Sequence, residues 1–162
     1  MPDVWLPPAA ALRTVFGSDF IYWLSTNPFR SLTQRMFVPS GFQLNAADEA
    51  VVADAFRTTL PIAPRTQGAV FDTLETITEP EREPWRYPLE TLSVPTLVVT
   101  AEDDPSVRYD QVLAMVDRIH DAQLLSIPTG GHLMLGHREI VADGIRAFIA
   151  DVVRADQEGV TP

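Results

Sequence analysis

Apolar positions follow two different rhythms along the chain. From residue 7 to 78 the rhythm is helical and predicts four or five short helices with no strand. Ser18 is placed to cap a helix carrying Ile21, Trp23 and Leu24. Asn27-Pro28 reads as a cap and a first-turn proline, opening a helix through Leu32 and Met36 that stops before Pro39. Asn45 precedes AADEAVVADAFRTTL, where Val51, Val52, Ala55, Phe56 and Leu60 mark one face ahead of Pro61. Val70, Phe71, Leu74 and Ile77 repeat at helical spacing before Pro80.

The rhythm then breaks in EPEREPWRYPLETLSVP, residues 79–95, which carries Pro80, Pro84, Pro88 and Pro95. Proline has no amide donor and restrains the residue before it, so this stretch is a connector, bounded here at 81–95. Beyond it TLVVT, residues 96–100, is a short β-branched run of the kind buried in parallel sheets. A helix follows with Tyr109, Val112, Val116 and Ile119 on one side. A second strand spans Gln123–Ile127, the loop PTGGH comes next, and a last helix uses Val141, Ile145, Phe148 and Val152. Strand, helix, strand, helix requires a parallel pair. The division is a helical region at 1–80, the connector, a βαβα part at 96–154 and a tail at 155–162. The class is α/β.

Composition narrows what this architecture can serve. At 162 residues the chain is one ordinary domain in size, with 46% apolar residues and a mean hydropathy of +0.03. The formal charge of −10 disfavours nucleic acid or an anionic membrane as partner. No apolar run approaches a membrane span. The absence of cysteine excludes disulfides, thiolate metal sites and a Cys nucleophile. The opening MPDVWLPPAAALR lacks the regions of a signal peptide, so a cytoplasmic location is expected.

Candidate chemistry gathers where parallel sheets carry it, beyond the carboxyl ends of the strands. Glu102, Asp103 and Asp104 follow the first strand, and His132 follows the second inside PTGGHLMLGH. Neighbouring strands bring the two loops side by side, and a carboxylate beside an imidazole fixes its tautomer and stabilises its charged form. The bland readings are a solvated acidic turn ending at Pro105 and a His used as a turn residue. Three adjacent acids cannot aim enough oxygens at one point for a hard cation. His132 and His137, five apart, match no recognised zinc pair, and they and His120 leave no metal implied. Phe16, Phe20, Tyr22, Trp23, Phe29 and Phe37 crowd the helical half, as core for small helices or as the lining of an apolar pocket. Arg30 and Arg35 stand near helix ends, as partners for an acidic substrate group or simply as solvated charges.

VPTLVVTAEDDPSVR (94–108) and SIPTGGH (126–132), with the helix after each, resemble the C-terminal part of the α/β-hydrolase family over roughly residues 88–152. The family pattern is a proline-led strand followed by Gly-x-x-Asp, here Ala101-Glu102-Asp103-Asp104, with Ala in place of Gly. The resemblance therefore maps the acid onto Asp104, with Asp103 as runner-up, and the base onto His132. It implies a partial α/β-hydrolase fold in which the helical half stands, by position only, for the cap that shapes the substrate pocket. It implies a small ester- or amide-like or other hydrolysable substrate and no organic cofactor.

One part of the pattern is missing. The family order places the nucleophile upstream of the acid, on a Gly-x-Ser-x-Gly turn or one with Asp in place of Ser. The nearest approach, Gly17-Ser18-Asp19-Phe20-Ile21, lacks the second glycine and follows no strand. No His-Gly or Gly-Gly oxyanion loop occurs upstream. The resemblance thus implies a truncated or internally started version whose nucleophile lies elsewhere. Three readings follow: the C-terminal segment of a hydrolase, a half-enzyme that needs a separate chain, or a binding module without the chemistry. Two strands make a poor sheet, so an exposed edge along 96–100 is expected to pair with a second copy or a complementing chain.

Overall fold

The computed structural model describes residues 8–76 and 87–159. Met1–Pro7, Ile77, Pro80, Pro84, the first six residues of the connector and the last three residues of the tail lie outside the described residues. The described residues form two compact units, one of residues 8–34, 49–76 and 87–88 and one of residues 35–48 and 89–159.

The first unit is helical. It contains α1 (Ala9–Phe16), α2 (Asp19–Thr26), α3 (Arg30–Gln34), most of α4 (Ala46–Thr58) and α5 (Thr66–Phe71). Helix α1 packs on α2 and α5, and α2 packs on α3. Leu12, Tyr22, Val52, Phe56, Ile62 and Val70 are buried. Ser18 caps α2 as expected, its Oγ accepting from the Ile21 amide. One carboxylate oxygen of Asp19 accepts from the amides of Ile62 (2.7 Å) and Ala63 (2.9 Å), tying the start of α2 to the turn before α5.

Helix α4 starts where the sequence pattern places it. Asn45 Oδ1 accepts from the amides of Ala47 (2.8 Å) and Asp48 (2.9 Å), and Asp48 accepts in return from the Asn45 amide (3.3 Å). This is a reciprocal capping box, with two amides at the helix start satisfied by Asn45. Of the expected apolar face, Val52 and Phe56 are buried, whereas Val51 is exposed.

Three helical expectations need correction. Asn27 does not open a helix. It closes α2, donating its own amide and its Nδ2 to the Trp23 carbonyl, because Pro28 has no amide to carry the ladder on. Helix α3 ends at Gln34 rather than reaching Met36. The backbone beyond it is engaged elsewhere in the second unit, where the Phe37 carbonyl accepts from His132. Phe71 is exposed beside buried Val70, and a π-type turn over Asp72–Thr76 breaks the expected spacing.

The second unit holds β1 (Leu97–Ala101), α6 (Tyr109–Val116), β2 (Gln123–Ile127) and α7 (Arg138–Gly159). The strands pair in parallel from Leu97 opposite Gln123 to Ala101 opposite Ile127, and the Glu102 amide extends the ladder to the Ile127 carbonyl (2.8 Å). Among the described residues the sheet has these two strands alone. Burial rises toward the carboxyl ends, where Ala101 and Ile127 are each 1% exposed. Val112 and Ile119 are buried with them. Ile145 is exposed, contrary to the apolar face expected of the last helix. Gly144 is the closely packed residue instead: a Cβ there would lie 2.5 Å from the Leu125 side chain, too close for any larger residue without displacement.

Candidate functional site

The carboxyl ends of β1 and β2 run into two loops in the second unit. After β1, Asp104 turns back on the chain, its Oδ1 accepting from the Ser106 amide (2.7 Å). After β2, the loop 128–137 passes through Gly130 at φ +110° and Gly131 at φ +61°, a conformation open to glycine at low cost. Gly131 has a second reason to lack a side chain. A Cβ would stand 2.4 Å from the Phe37 carbonyl oxygen and 2.5 Å from Pro39 Cδ.

The loops meet at His132 and Asp104, whose Nδ1 and Oδ2 lie 2.8 Å apart. The Asp104 side chain is 6% exposed and that of His132 43%. The pair thus joins a buried carboxylate to an accessible imidazole. A carboxylate at Nδ1 places the ring proton there, which leaves the Nε2 lone pair of the neutral ring for chemistry. The bond to Asp104 raises the His132 pKa above its usual value, partial burial opposes the shift, and the carboxylate charge adds to it.

The neighbouring acid is occupied otherwise. Asp103 accepts from the amides of Gly130 (3.2 Å) and Gly131 (2.9 Å), holding the turn that presents His132. Glu102 accepts from Ser126 Oγ (2.9 Å), which in turn stands 3.0 Å from the Tyr109 hydroxyl. Three consecutive carboxylates therefore face three different partners.

Further contacts come from residues 35–48, a segment that the sequence pattern assigned to the helical half. The His132 amide donates to the Phe37 carbonyl (2.9 Å), and the Phe37 ring stands 5.7 Å from the imidazole, tilted by 46°. Ser106 Oγ donates to the Met36 carbonyl, and Asp48 Oδ1 accepts from the Gly136 amide (3.1 Å). In the sequence Phe37 stands as one aromatic among several, and Asp48 as an ordinary acid of the first turn of α4. The available signals were the loop residues Pro39 and Gly41 after Phe37, and the acid three residues after a capping Asn.

Other residues singled out in the sequence stand apart from this pair. His120 lies 2.8 Å from its neighbour Asp121, and His137 contacts Thr129 Oγ1 (3.1 Å). Arg30 is 3.8 Å from Glu49 in the first unit, where both line a cavity of about 440 Å³ together with Trp23, Phe56 and Leu60. Phe20, Trp23 and Phe29 are exposed, so the aromatics do not all serve as core. Ser18, the nearest approach to a nucleophile turn, is a helix cap. Among the described residues, no cluster of three or more metal-ligating side chains occurs and no helix is long and apolar enough to cross a membrane.

No curated protein and no solved structure matches the chain. A family does. Residues 74–160 match the TAP-like proteins, a branch of the α/β-hydrolases, and the match takes in both strands, both loops and the last two helices. It covers more than half of the sequence and begins upstream of the resemblance read from the motifs. The chain belongs to the α/β-hydrolase family.

Proposed function

We propose that this chain carries the acid and base of a hydrolase active site and acts on a small ester- or amide-like substrate with a nucleophile from outside residues 1–162. The observation that carries the reading is the 2.8 Å bond between buried Asp104 and accessible His132. His132 Nε2 takes the proton of an attacking serine hydroxyl and later returns it to the leaving group. Asp104 stays ionised, orients the ring and stabilises the imidazolium formed between the two transfers. The nucleophile enters on a strand added along β1, which among the described residues pairs with β2 alone. Family membership and the loop order, acid then His, support the assignment.

Fluorophosphonate labelling of the folded chain, read by intact mass, tests the nucleophile's origin. No adduct is expected. A stoichiometric adduct means an activated serine within these residues and overturns that part of the reading. Co-expression with a segment that supplies the nucleophile is expected to give esterase activity that His132→Ala abolishes. A binding module would instead keep its ligand or partner regardless of that substitution.

A further inference from the structure

We propose that residues 35–48 form a strap that positions the base, with Asp48 and Phe37 as its positioning residues. The inference rests on His132 being the base paired with Asp104. The strap reaches both loops of the site. Phe37 receives the His132 amide at 2.9 Å and lays its ring beside the imidazole, and Met36 receives the Ser106 hydroxyl next to the acid. Gly131 fits against Phe37 and Pro39 with no room for a side chain.

Asp48 shows that this contact is built rather than incidental. It is 6% exposed, and an ionised carboxylate that deep is costly unless its oxygens are hydrogen-bonded. Closing the capping box uses Oδ2 on the Asn45 amide. Oδ1 goes to the Gly136 amide, 88 residues along the chain, where the base loop ends. Both oxygens of Asp48 are thus committed, one to the helix start and one to the base loop. The loop 128–137 is then held at three points: Asp103 on Gly130 and Gly131, Phe37 on His132, and Asp48 on Gly136. With the third point released, the Asp104–His132 bond is made for a smaller fraction of the time. The ring then loses part of the stabilisation of its charged form.

An NMR titration of the His132 ring in the folded chain, with His120 as internal reference, reads this directly. Asp104→Asn tests the underlying pair and is expected to lower the His132 midpoint. Asp48→Asn is expected to lower it by less and to speed amide exchange at His132 and Gly136. Asn45→Ala removes the cap yet leaves both bonds of Asp48 in place, so helix loss alone is expected to leave the His132 midpoint unmoved. Phe37→Leu keeps the backbone bond and removes the ring, and is expected to lower the midpoint; it is the deciding variant if Asp48→Asn does not fold. A wild-type midpoint in Asp48→Asn, or in Phe37→Leu where that variant decides, overturns the strap while a shifted Asp104→Asn keeps the base. An unmoved Asp104→Asn removes the base and the strap with it.

Discussion

The two units distribute their polar and apolar contacts differently. In the second, side chains far apart in sequence converge on one ten-residue loop: Asp103 on Gly130 and Gly131, Asp104 on His132 and Asp48 on Gly136. In the first, Asp19 and Thr66 make comparable long-range ties, and large apolar side chains are left in the open at Phe20, Trp23, Phe29 and Phe71. The second unit therefore holds a few atoms in fixed relation, as acid–base chemistry demands. Exposed aromatics gather in the first, whereas the large apolar side chains open to solvent in the second, such as Val94, Ile140 and Ile149, are aliphatic.

The contrast can be tested most severely at the acid. In the complemented enzyme, Asp104→Asn is expected to reduce kcat by about 10⁴-fold, since the base then lacks the partner that sets its tautomer. Steady-state hydrolysis of an activated ester measures this, and a loss below about tenfold would break the assignment of the two loops to chemistry.

Stability comes next. Phe56→Ala empties a buried site of the first unit and is expected to cost about 3–5 kcal/mol in urea unfolding. Gly131→Ala combines a left-handed conformation with two backbone or ring contacts under 3 Å, and is expected to cost about 2–4 kcal/mol. A stable Gly131→Ala protein with an undisturbed His132 resonance would mean that the base loop is looser than its contacts imply.

A smaller effect concerns pH. The folded pKa of His132 lies above its ordinary 6.5, so its bond to Asp104 favours the fold most when the ring is charged. That contribution is fully present below about pH 6.5 and is lost as pH rises through the folded pKa. The difference in urea midpoint between wild type and His132→Gln is therefore expected to shrink with rising pH across this window. Least of all, Phe20→Ser in the first unit is expected to change stability by under about 0.5 kcal/mol, because the ring is 68% exposed. A large loss there would show that the exposed aromatics already have a partner.

Local signals were legible in the sequence. The limits of β2, the Ser18 cap and the start of α4 follow from neighbours a few residues apart, and β1 is displaced by one residue. Where distant contacts decide, the periodicity misled. Phe71 and Ile145 have helical spacing but face outward, the latter because Gly144 takes the close approach to the sheet. Asn27 has the composition of a cap at either end of a helix, and only the direction of its hydrogen bonds shows which. The two acids 103 and 104 could be ranked by motif, but their separate partners depend on how two loops 28 residues apart come together. The capping pattern marked Asp48 as a helix-start acid and nothing marked Phe37, since their bonds to the base loop reach residues some 90 positions away.

Asp103 has a consequence beyond holding a turn. Its bonds to Gly130 and Gly131 act as a non-covalent staple across a span of 28 residues, beside the one that Asp104 and His132 must close. A permanent cross-link of that span would remove roughly 3–4 kcal/mol of chain entropy from the unfolded state. With the staple made, acid and imidazole meet at the high effective concentration of tethered groups, and their own bond forms without paying again for the encounter.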